Sequence, residues 1–177
     1  MARAFISIGS NIDPESNVRD ALLRLGSSVR VRAISTVYRT EPIGPPGQQM
    51  FYNCVVEIET GLAPRDLKFR LLRRIESELA RKRDSDKFAA RTIDMDLILY
   101  DDLVMTADDL TLPDPDITRR PFLAVPLQEL APGLVLPGSG VRISDAVLTQ
   151  PRMNMTPLEY YTERLRKEIL HERKGEE

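Results

Sequence analysis

The sequence predicts an α+β fold, in which an antiparallel sheet carries helices on one face and a helical extension follows at the carboxy terminus. The chain has 177 residues, of which 42% are apolar, enough for one domain with its own core. Segments of strand and helix character follow one another in the order strand, helix, strand, strand, helix, strand. The composition changes after Pro151, so the expected division is a domain over residues 1–151 and an extension over residues 152–177.

The first elements are a strand, a helix and a second strand. Residues 3–10 are rich in β-formers and end near Gly9. Asp13 offers a cap for the helix that follows, with Pro14 just inside its first turn. Basic and apolar residues alternate over residues 29–40, which predicts one half-buried strand.

The remaining elements complete the pattern. A loop rich in Pro and Gly over residues 41–49 precedes a strand over residues 51–60. Apolar residues recur at helical spacing from residue 64 to about 82, and residues 89–100 read as a strand. This order is that of the split βαβ, ferredoxin-like group.

The last third of the chain is less regular. Residues 110–121 are predicted to form a loop rich in Pro and Arg, and residues 122–134 a short helix broken near Pro132. The extension is a charged helix with an apolar stripe, which should dock on the core or on a second chain. We therefore expect a monomer, or a dimer formed through this helix. The stripe consists of Leu158, Tyr161, Leu165 and Ile169.

Charge and composition exclude several classes of protein. The formal net charge is -2, so no basic field indicates nucleic acid, and the aromatic strand of a ferredoxin-like RNA-binding module is missing from the sequence. No apolar run approaches the roughly 18 residues that cross a bilayer, and the first run breaks too early for a signal peptide. The single cysteine, Cys54, cannot form an internal disulfide. We expect a cytoplasmic protein that binds small molecules, not nucleic acid or membranes.

Two aspartates interrupt an otherwise apolar strand, AARTIDMDLILY, at residues 89–100. Alternation places Asp94 and Asp96 on one face with Ile98, and Met95, Leu97 and Leu99 on the other. Their Cα atoms would be about 6.6 Å apart, so the two charges repel by roughly 2 to 3 kcal/mol. A solvated sheet face would tolerate this repulsion. A divalent cation would remove it, and oxygen ligands of this kind suit Mg²⁺.

Arginines surround the acidic pair in the sequence. Arg81, Arg83 and Arg91 flank the strand, and Arg119 and Arg120 lie on the next loop. Each alone could be a solvated surface charge. Together with the aspartates they indicate a metal-bridged polyphosphate, held by side chains because no Gly-rich phosphate loop is present in the sequence.

These segments resemble one family of enzymes, the hydroxymethyl-dihydropterin pyrophosphokinases. The resemblance covers about residues 4–137. It is carried, in order, by GSN (9–11), STVYRTEPIG (35–44), QQMFYN (48–53), IESELARKR (75–83), RTIDMDLILY (91–100), LTLPDPDITRRPF (110–122) and PLQELAP (126–132).

The resemblance implies transfer of pyrophosphate from ATP to the hydroxymethyl oxygen of a dihydropterin in folate biosynthesis, with release of AMP. Asp94 and Asp96 would hold two Mg²⁺ ions, while Arg81 and Arg91 would stabilise charge on the phosphates. The implied ATP contacts are Glu76, Arg83, Leu97, Thr111, Asp114 and Arg120. The implied pterin contacts are Thr40, Pro42, Ile43, Phe51, Asn53, Phe88 and Phe122.

The chain departs from the family pattern at a few positions. Asp114 stands where the family usually has histidine, and its charge should weaken ATP binding. Ala80, Ala89 and Ala90 replace residues that are glycine or proline in the family, and Phe88 replaces tryptophan. These changes leave an alternative open, a weakly active or inactive paralogue that still binds pterin or nucleotide.

Overall fold

An antiparallel sheet of six strands organises the computed structural model, which describes residues 1–44, 46–80 and 90–171. The strand order is β5-β1-β4-β3-β8, and β2 also pairs with β4. A separate hairpin joins β6 to β7. The strands are β1 (Ala2–Ser10), β2 (Arg30–Ile34), β3 (Tyr38–Thr40), β4 (Phe51–Thr60), β5 (Asp94–Tyr100), β6 (Met105–Ala107), β7 (Leu110–Leu112) and β8 (Met155–Pro157).

The helices cover both faces of this sheet. The first helix, the run that contains a π-helical segment and the last helix lie on one face, and two other helices cover part of the second face. The predicted α+β, ferredoxin-like fold class is confirmed. The helical segments are α1 (Pro14–Ser28), α2 (Pro64–Asp66), the π-helical segment (Leu67–Leu72), α3 (Arg73–Glu78), a short 3-10 turn (Pro115–Thr118), α4 (Pro121–Leu130), α5 (Ile143–Thr149) and α6 (Glu159–His171).

Two apolar clusters lie on opposite faces of the sheet. The larger one packs Ile6, Ile8 and other inward residues of β1 and β4 against α1, the segment from α2 to α3, and α6. The apolar stripe of α6 belongs to this cluster, so it docks on the core of its own chain. The smaller cluster packs Phe5 and Val55 against α4 and α5. The rest of that second face is left for a cavity.

A break divides the predicted strand 29–40 into β2 and β3, so the prediction of one strand was wrong. At the break, the backbone N–H of Ser35 donates to the Val55 carbonyl (3.0 Å), and the Ser35 hydroxyl accepts from the Val55 N–H (2.9 Å). A serine hydroxyl competes with backbone acceptors in this way and ends regular pairing.

A bulge changes the alternation within β5. Ile6 pairs with Leu97 and Phe5 pairs with Leu99, so Ile98 is an extra residue. Met95 and Leu97 therefore face the larger cluster, whereas Ile98 and Leu99 face the smaller one. The predicted position of Leu99, beside Met95, was wrong. Asp94 and Asp96 precede the bulge and share one face, as alternation predicts.

Three other features also differ from the predictions. Residues 110–112 form strand β7 instead of a loop, because Leu110 and Leu112 are buried on one side of a hairpin. Asp13 occupies the N-cap of α1, but its side chain forms no capping hydrogen bond. The strand predicted over residues 89–100 begins only at Asp94. None of the described helices has the length and apolar character to cross a membrane.

Candidate active site

A cavity of about 410 Å³ opens on the sheet face that α4 only partly covers. Strands β1, β4 and β5 form its floor, and the residues around the 3-10 turn and the start of α4 form one wall. The predicted site residues that line it are Thr40, Ile43, Phe51, Asn53, Arg91, Asp94, Asp96, Asp114, Arg120 and Phe122.

The acidic pair lies at the first residues of β5. Asp94 pairs with Gly9 and Asp96 with Ser7 across the sheet, which brings both carboxylates to the cavity. The Arg91 guanidinium donates to the Asp94 carboxylate. Arg91 is fixed by its backbone, because its N–H donates to Asn11 Oδ1 (2.7 Å) and its carbonyl accepts from the Asn11 N–H (3.1 Å).

The ionised form of Asp96 is disfavoured in this position. Burial and the neighbouring charge of Asp94 raise the pKa of Asp96 from 3.8 to about 7, and Glu76 and Asp114 act in the same direction. Lys68 opposes the shift. The site therefore concentrates negative charge that a bound cation would compensate.

Glu76 supports the acidic strand from the opposite side of the sheet. It is only 2% exposed, and its Oε1 accepts a hydrogen bond of 2.9 Å from the backbone N–H of Met95. Met95 stands between the two aspartates, so this bond fixes the backbone that carries both. Glu76 does not line the cavity.

An amide and two aromatic rings line another part of the cavity. Phe51 and Phe122 both border it. Asn53 is paired with Gly9 of β1, and its Nδ2 donates to the Thr40 hydroxyl (2.7 Å). A Cβ on Gly9 would lie 2.7 Å from Asn53 Oδ1, so only glycine leaves room for this amide.

The wall near Asp114 is built from a short capped turn. The Asp114 N–H donates to the Ile98 carbonyl (2.9 Å), and the Asp114 carboxylate accepts from the Asp116 N–H (2.8 Å). Burial raises the pKa of Asp114 above its ordinary value. Arg120 lies opposite, with its Nε 3.9 Å from the Asp116 carboxylate. A guanidinium group and two carboxylates therefore lie together at this end of the cavity.

Several predicted site residues lie elsewhere or outside the described residues. The Leu97 side chain faces the larger cluster, and Thr111 pairs with Thr106 in the β6–β7 hairpin. Pro42 does not line the cavity. Arg81, Arg83 and Phe88 lie outside the described residues. The roles of all these residues stay predictions.

The cavity also contains residues that were not predicted. They are Ser7, Gly9, Glu41, Asp116 and Leu123. The GSN motif could have indicated Gly9, and Ser7 follows from Gly9 by alternation. Glu41 and Asp116 carry no signal of their own, because their approach to the cavity depends on how the loops fold.

Fold and cavity together define an α+β domain with a candidate site for small molecules. A family model described as 7,8-dihydro-6-hydroxymethylpterin-pyrophosphokinase (HPPK) matches residues 5–132. The chain therefore belongs to this family, and it is a transferase that carries out the pyrophosphokinase step of folate biosynthesis. None of these findings favours the inactive alternative.

Individual relatives agree with the family model. The chain is 37% identical over 144 residues to a 2-amino-4-hydroxy-6-hydroxymethyldihydropteridine pyrophosphokinase of Haemophilus influenzae, covering 80% of this chain and 89% of that protein. It is 38% identical over 130 residues to the protein of that name from Bacillus subtilis, covering 72% and 77%.

Solved structures provide evidence on the fold. A crystal structure of wild-type Plasmodium falciparum HPPK-DHPS with pterin and p-hydroxybenzoate matches with a TM-score of 0.65 at 12% identity. The match covers 94% of this chain and 42% of that one, so this chain spans less than half of that larger protein. At this identity the likeness supports the fold alone.

Proposed function

We propose that the cavity binds ATP and 6-hydroxymethyl-7,8-dihydropterin together, and that Asp94 and Asp96 bind two Mg²⁺ ions with the ATP. One observation carries the proposal. The two carboxylates share one face of β5 and open into a cavity that also contains two aromatic rings and an amide. The same cavity therefore offers ligands for a metal and a surface for a heterocycle.

The donor set fits magnesium. Both side chains offer only oxygen ligands, and Mg²⁺ prefers a small number of carboxylates and takes other ligands from phosphates and water. Burial and, after it, the neighbouring charge of Asp94 raise the pKa of Asp96, and a cation bound between the two carboxylates would favour the ionised form. When bound, Mg²⁺ would supply charge neutralisation and alignment of the triphosphate.

The cationic side chains of the cavity would hold the phosphates. Arg91 and Arg120 both line it, and a guanidinium binds phosphate oxygens in a bidentate geometry. Arg91 already neutralises Asp94, so its charge lies beside the position where the phosphates would bind. Arg81 and Arg83 are assigned to the phosphates and the nucleotide by the resemblance alone.

The transfer itself is a substitution at the β-phosphorus. The hydroxymethyl oxygen forms a bond to that phosphorus and loses its proton, the bond from the phosphorus to the α-phosphate oxygen breaks, and AMP leaves. Arg91 and Arg120 would stabilise the charge that develops on the phosphate oxygens. The protein thus contributes mainly positioning and electrostatic stabilisation.

Phe51, Phe122 and Asn53 form the pterin site in this proposal. A flat, polar heterocycle needs ring faces for stacking and hydrogen-bonding groups at its edge. Phe51 and Phe122 offer the faces, and the Asn53 amide offers a donor and an acceptor. The chain around Thr40, Pro42 and Ile43 would supply backbone groups, and the family pattern adds Phe88.

The remaining nucleotide contacts are assigned by position. Thr111 and Asp114 precede the short 3-10 turn, and Asp114 lines the cavity. Glu76 and Leu97 lie on the far side of β5 and would act through the backbone of that strand. We also propose the cytoplasm as the location of the reaction.

Substitution of either aspartate tests the proposal. Asp94→Asn and Asp96→Asn should each lower turnover about a hundredfold or more, because each removes a metal ligand and a charge. The measurement is AMP formation from ATP and reduced hydroxymethylpterin at saturating Mg²⁺. Asp102→Asn is the control, because Asp102 is an exposed carboxylate just after β5. Normal turnover in both variants would refute the metal assignment.

A further inference from the structure

The strand next to the pterin side of the cavity depends on the end of the chain. β3 has only three residues, and its last residue, Thr40, lines the cavity together with Glu41. One edge of β3 pairs with β4, and the other pairs with β8, where Thr40 is opposite Met155 and Tyr38 is opposite Pro157. A strand this short has little stability of its own, so the second pairing matters.

The break before β3 is also closed by the end of the chain. The backbone N–H of Val37 donates to the Thr162 hydroxyl (2.9 Å), and the Val37 carbonyl accepts from the Leu158 N–H (2.8 Å). Arg166 Nε donates to the Ile34 carbonyl (3.0 Å). These contacts replace the ladder hydrogen bonds that the break removes, and Thr162 is only 2% exposed.

The helix that makes these contacts is anchored independently of the cavity. Tyr161, Leu165 and Ile169 belong to the larger apolar cluster. The Tyr161 hydroxyl donates to the Glu15 carbonyl, and Arg19 on α1 forms an ion pair with Glu168. α6 is therefore fixed to α1, and β3 is held against a rigid support.

The contacts continue from β3 to the substrate-binding amide. Thr40 is 1% exposed and accepts the hydrogen bond that orients Asn53. Asn154, just before β8, has its Nδ2 3.4 Å from the Glu41 carboxylate. Thr40, Glu41 and Asn53 all line the cavity. A shift of β3 would therefore move the groups assigned to the pterin.

We propose that residues 154–166 act as a positioning segment for the pterin: they hold β3, and through Thr40 they hold Asn53 in its binding orientation. The inference rests on the proposed function of the cavity. The segment lies beyond residues 5–132, which the family model matches, so family membership does not assign it this role. Its residues touch no substrate and act through Thr40.

Thr162 offers the sharpest test. Thr162→Val keeps the shape of the side chain but removes the acceptor for the Val37 N–H, and Thr162→Ser keeps that acceptor. We expect Thr162→Val to raise the KM for the pterin about fivefold and to change kcat and the KM for ATP by less than about twofold. Thr162→Ser should restore the wild-type KM.

A matched variant separates positioning from general destabilisation. Ile169→Val removes a methyl group from the same helix, about one turn beyond Arg166, the last residue that contacts the break before β3, and should leave the KM for the pterin unchanged. An equal rise in Ile169→Val, an unchanged KM in Thr162→Val, or an equal rise in the KM for ATP would overturn the proposal.

Hydrogen exchange gives a second measurement that is independent of activity. In Thr162→Val the backbone amides of residues 37–40 should exchange faster than in the wild type and in Ile169→Val. Unchanged exchange would show that the segment does not hold β3. If the wild-type chain formed no AMP, the proposed function would fail, and the exchange result would still decide whether the segment holds β3.

Discussion

At the scale of single residues, the raised pKa of Asp96 makes stability depend on pH. Its pKa is raised from 3.8 to about 7 in the metal-free fold, chiefly by burial and by Asp94. The folded state therefore binds a proton that the unfolded state releases between these pH values. Stability contributed by this group is present at low pH and decreases as the pH rises through that interval.

Asp96→Asn should remove this pH dependence. In metal-free protein the variant should be more stable than the wild type at pH 8, by roughly 1 to 3 kcal/mol, with little difference near pH 4. Urea denaturation with a chelator present, at both pH values, measures the change. Asp102→Asn should show no such difference. A stability gain that is the same at both pH values would contradict the assigned cause.

Gly9 is a second residue with a specific role. A Cβ at this position would lie 2.7 Å from Asn53 Oδ1, so the amide would have to move away from the cavity. Gly9→Ala should therefore raise the KM for the pterin about tenfold or more, because a misplaced amide leaves a polar group of the substrate unpaired.

The control for this substitution is Gly133→Ala, since a Cβ at Gly133 would have no heavy atom within 4 Å. That variant should keep the wild-type KM. Steady-state kinetics of AMP formation with varied pterin measures both variants. An unchanged KM in Gly9→Ala would show that Asn53 does not contact the pterin.

Some of these residues could be predicted from sequence and some could not. The shared face of Asp94 and Asp96 could be predicted, because side chains two apart in a strand point to the same side. The approach of Asn53 to Gly9 could not be predicted, since it depends on the pairing of β1 with β4. The support of β5 by Glu76 joins a helix to a strand, and no local pattern encodes such a contact.

At the scale of elements, periodicity predicted strands and helices well where one face is buried. The bounds of β4 agree with the prediction, because β-forming residues recur along the whole strand and a loop rich in Pro and Gly precedes it. The break between β2 and β3 and the bulge in β5 were missed. Each depends on one residue, Ser35 or Ile98, whose effect arises from pairing with a neighbouring strand.

The end of α3 carries a conformation that alanine tolerates poorly. Ala80 follows this helix with a φ of 58°, in the left-handed region that glycine adopts without a steric penalty. Ala80→Gly should therefore stabilise the protein by about 1 kcal/mol, as measured by urea denaturation.

Ala63→Gly is the matched control at the start of the same helical run. Ala63 has a φ of -62°, so glycine there gains nothing in the folded state and adds freedom to the unfolded chain. This variant should be slightly destabilised. A loss of stability in Ala80→Gly as large as that in Ala63→Gly would contradict the account of this helix end.

At the scale of the whole molecule, the order of elements was enough to predict the fold class. The ferredoxin-like arrangement needs only the sequence of strands and helices, which periodicity supplies. The position of the extension could not be predicted from sequence, because β8 has only three residues and pairs with a strand more than a hundred residues earlier. The division into residues 1–151 and 152–177 remains a prediction, although α6 shares the core of the larger cluster.

The central claim is that the acidic pair binds magnesium and thereby holds the triphosphate. Titration calorimetry with a non-hydrolysable ATP analogue, with and without Mg²⁺, tests it most directly. We predict that Mg²⁺ increases the affinity of the wild type at least about tenfold and has no such effect on a variant with both Asp94→Asn and Asp96→Asn. The same increase in the double variant, or equal affinity of the wild type without Mg²⁺, would contradict the claim.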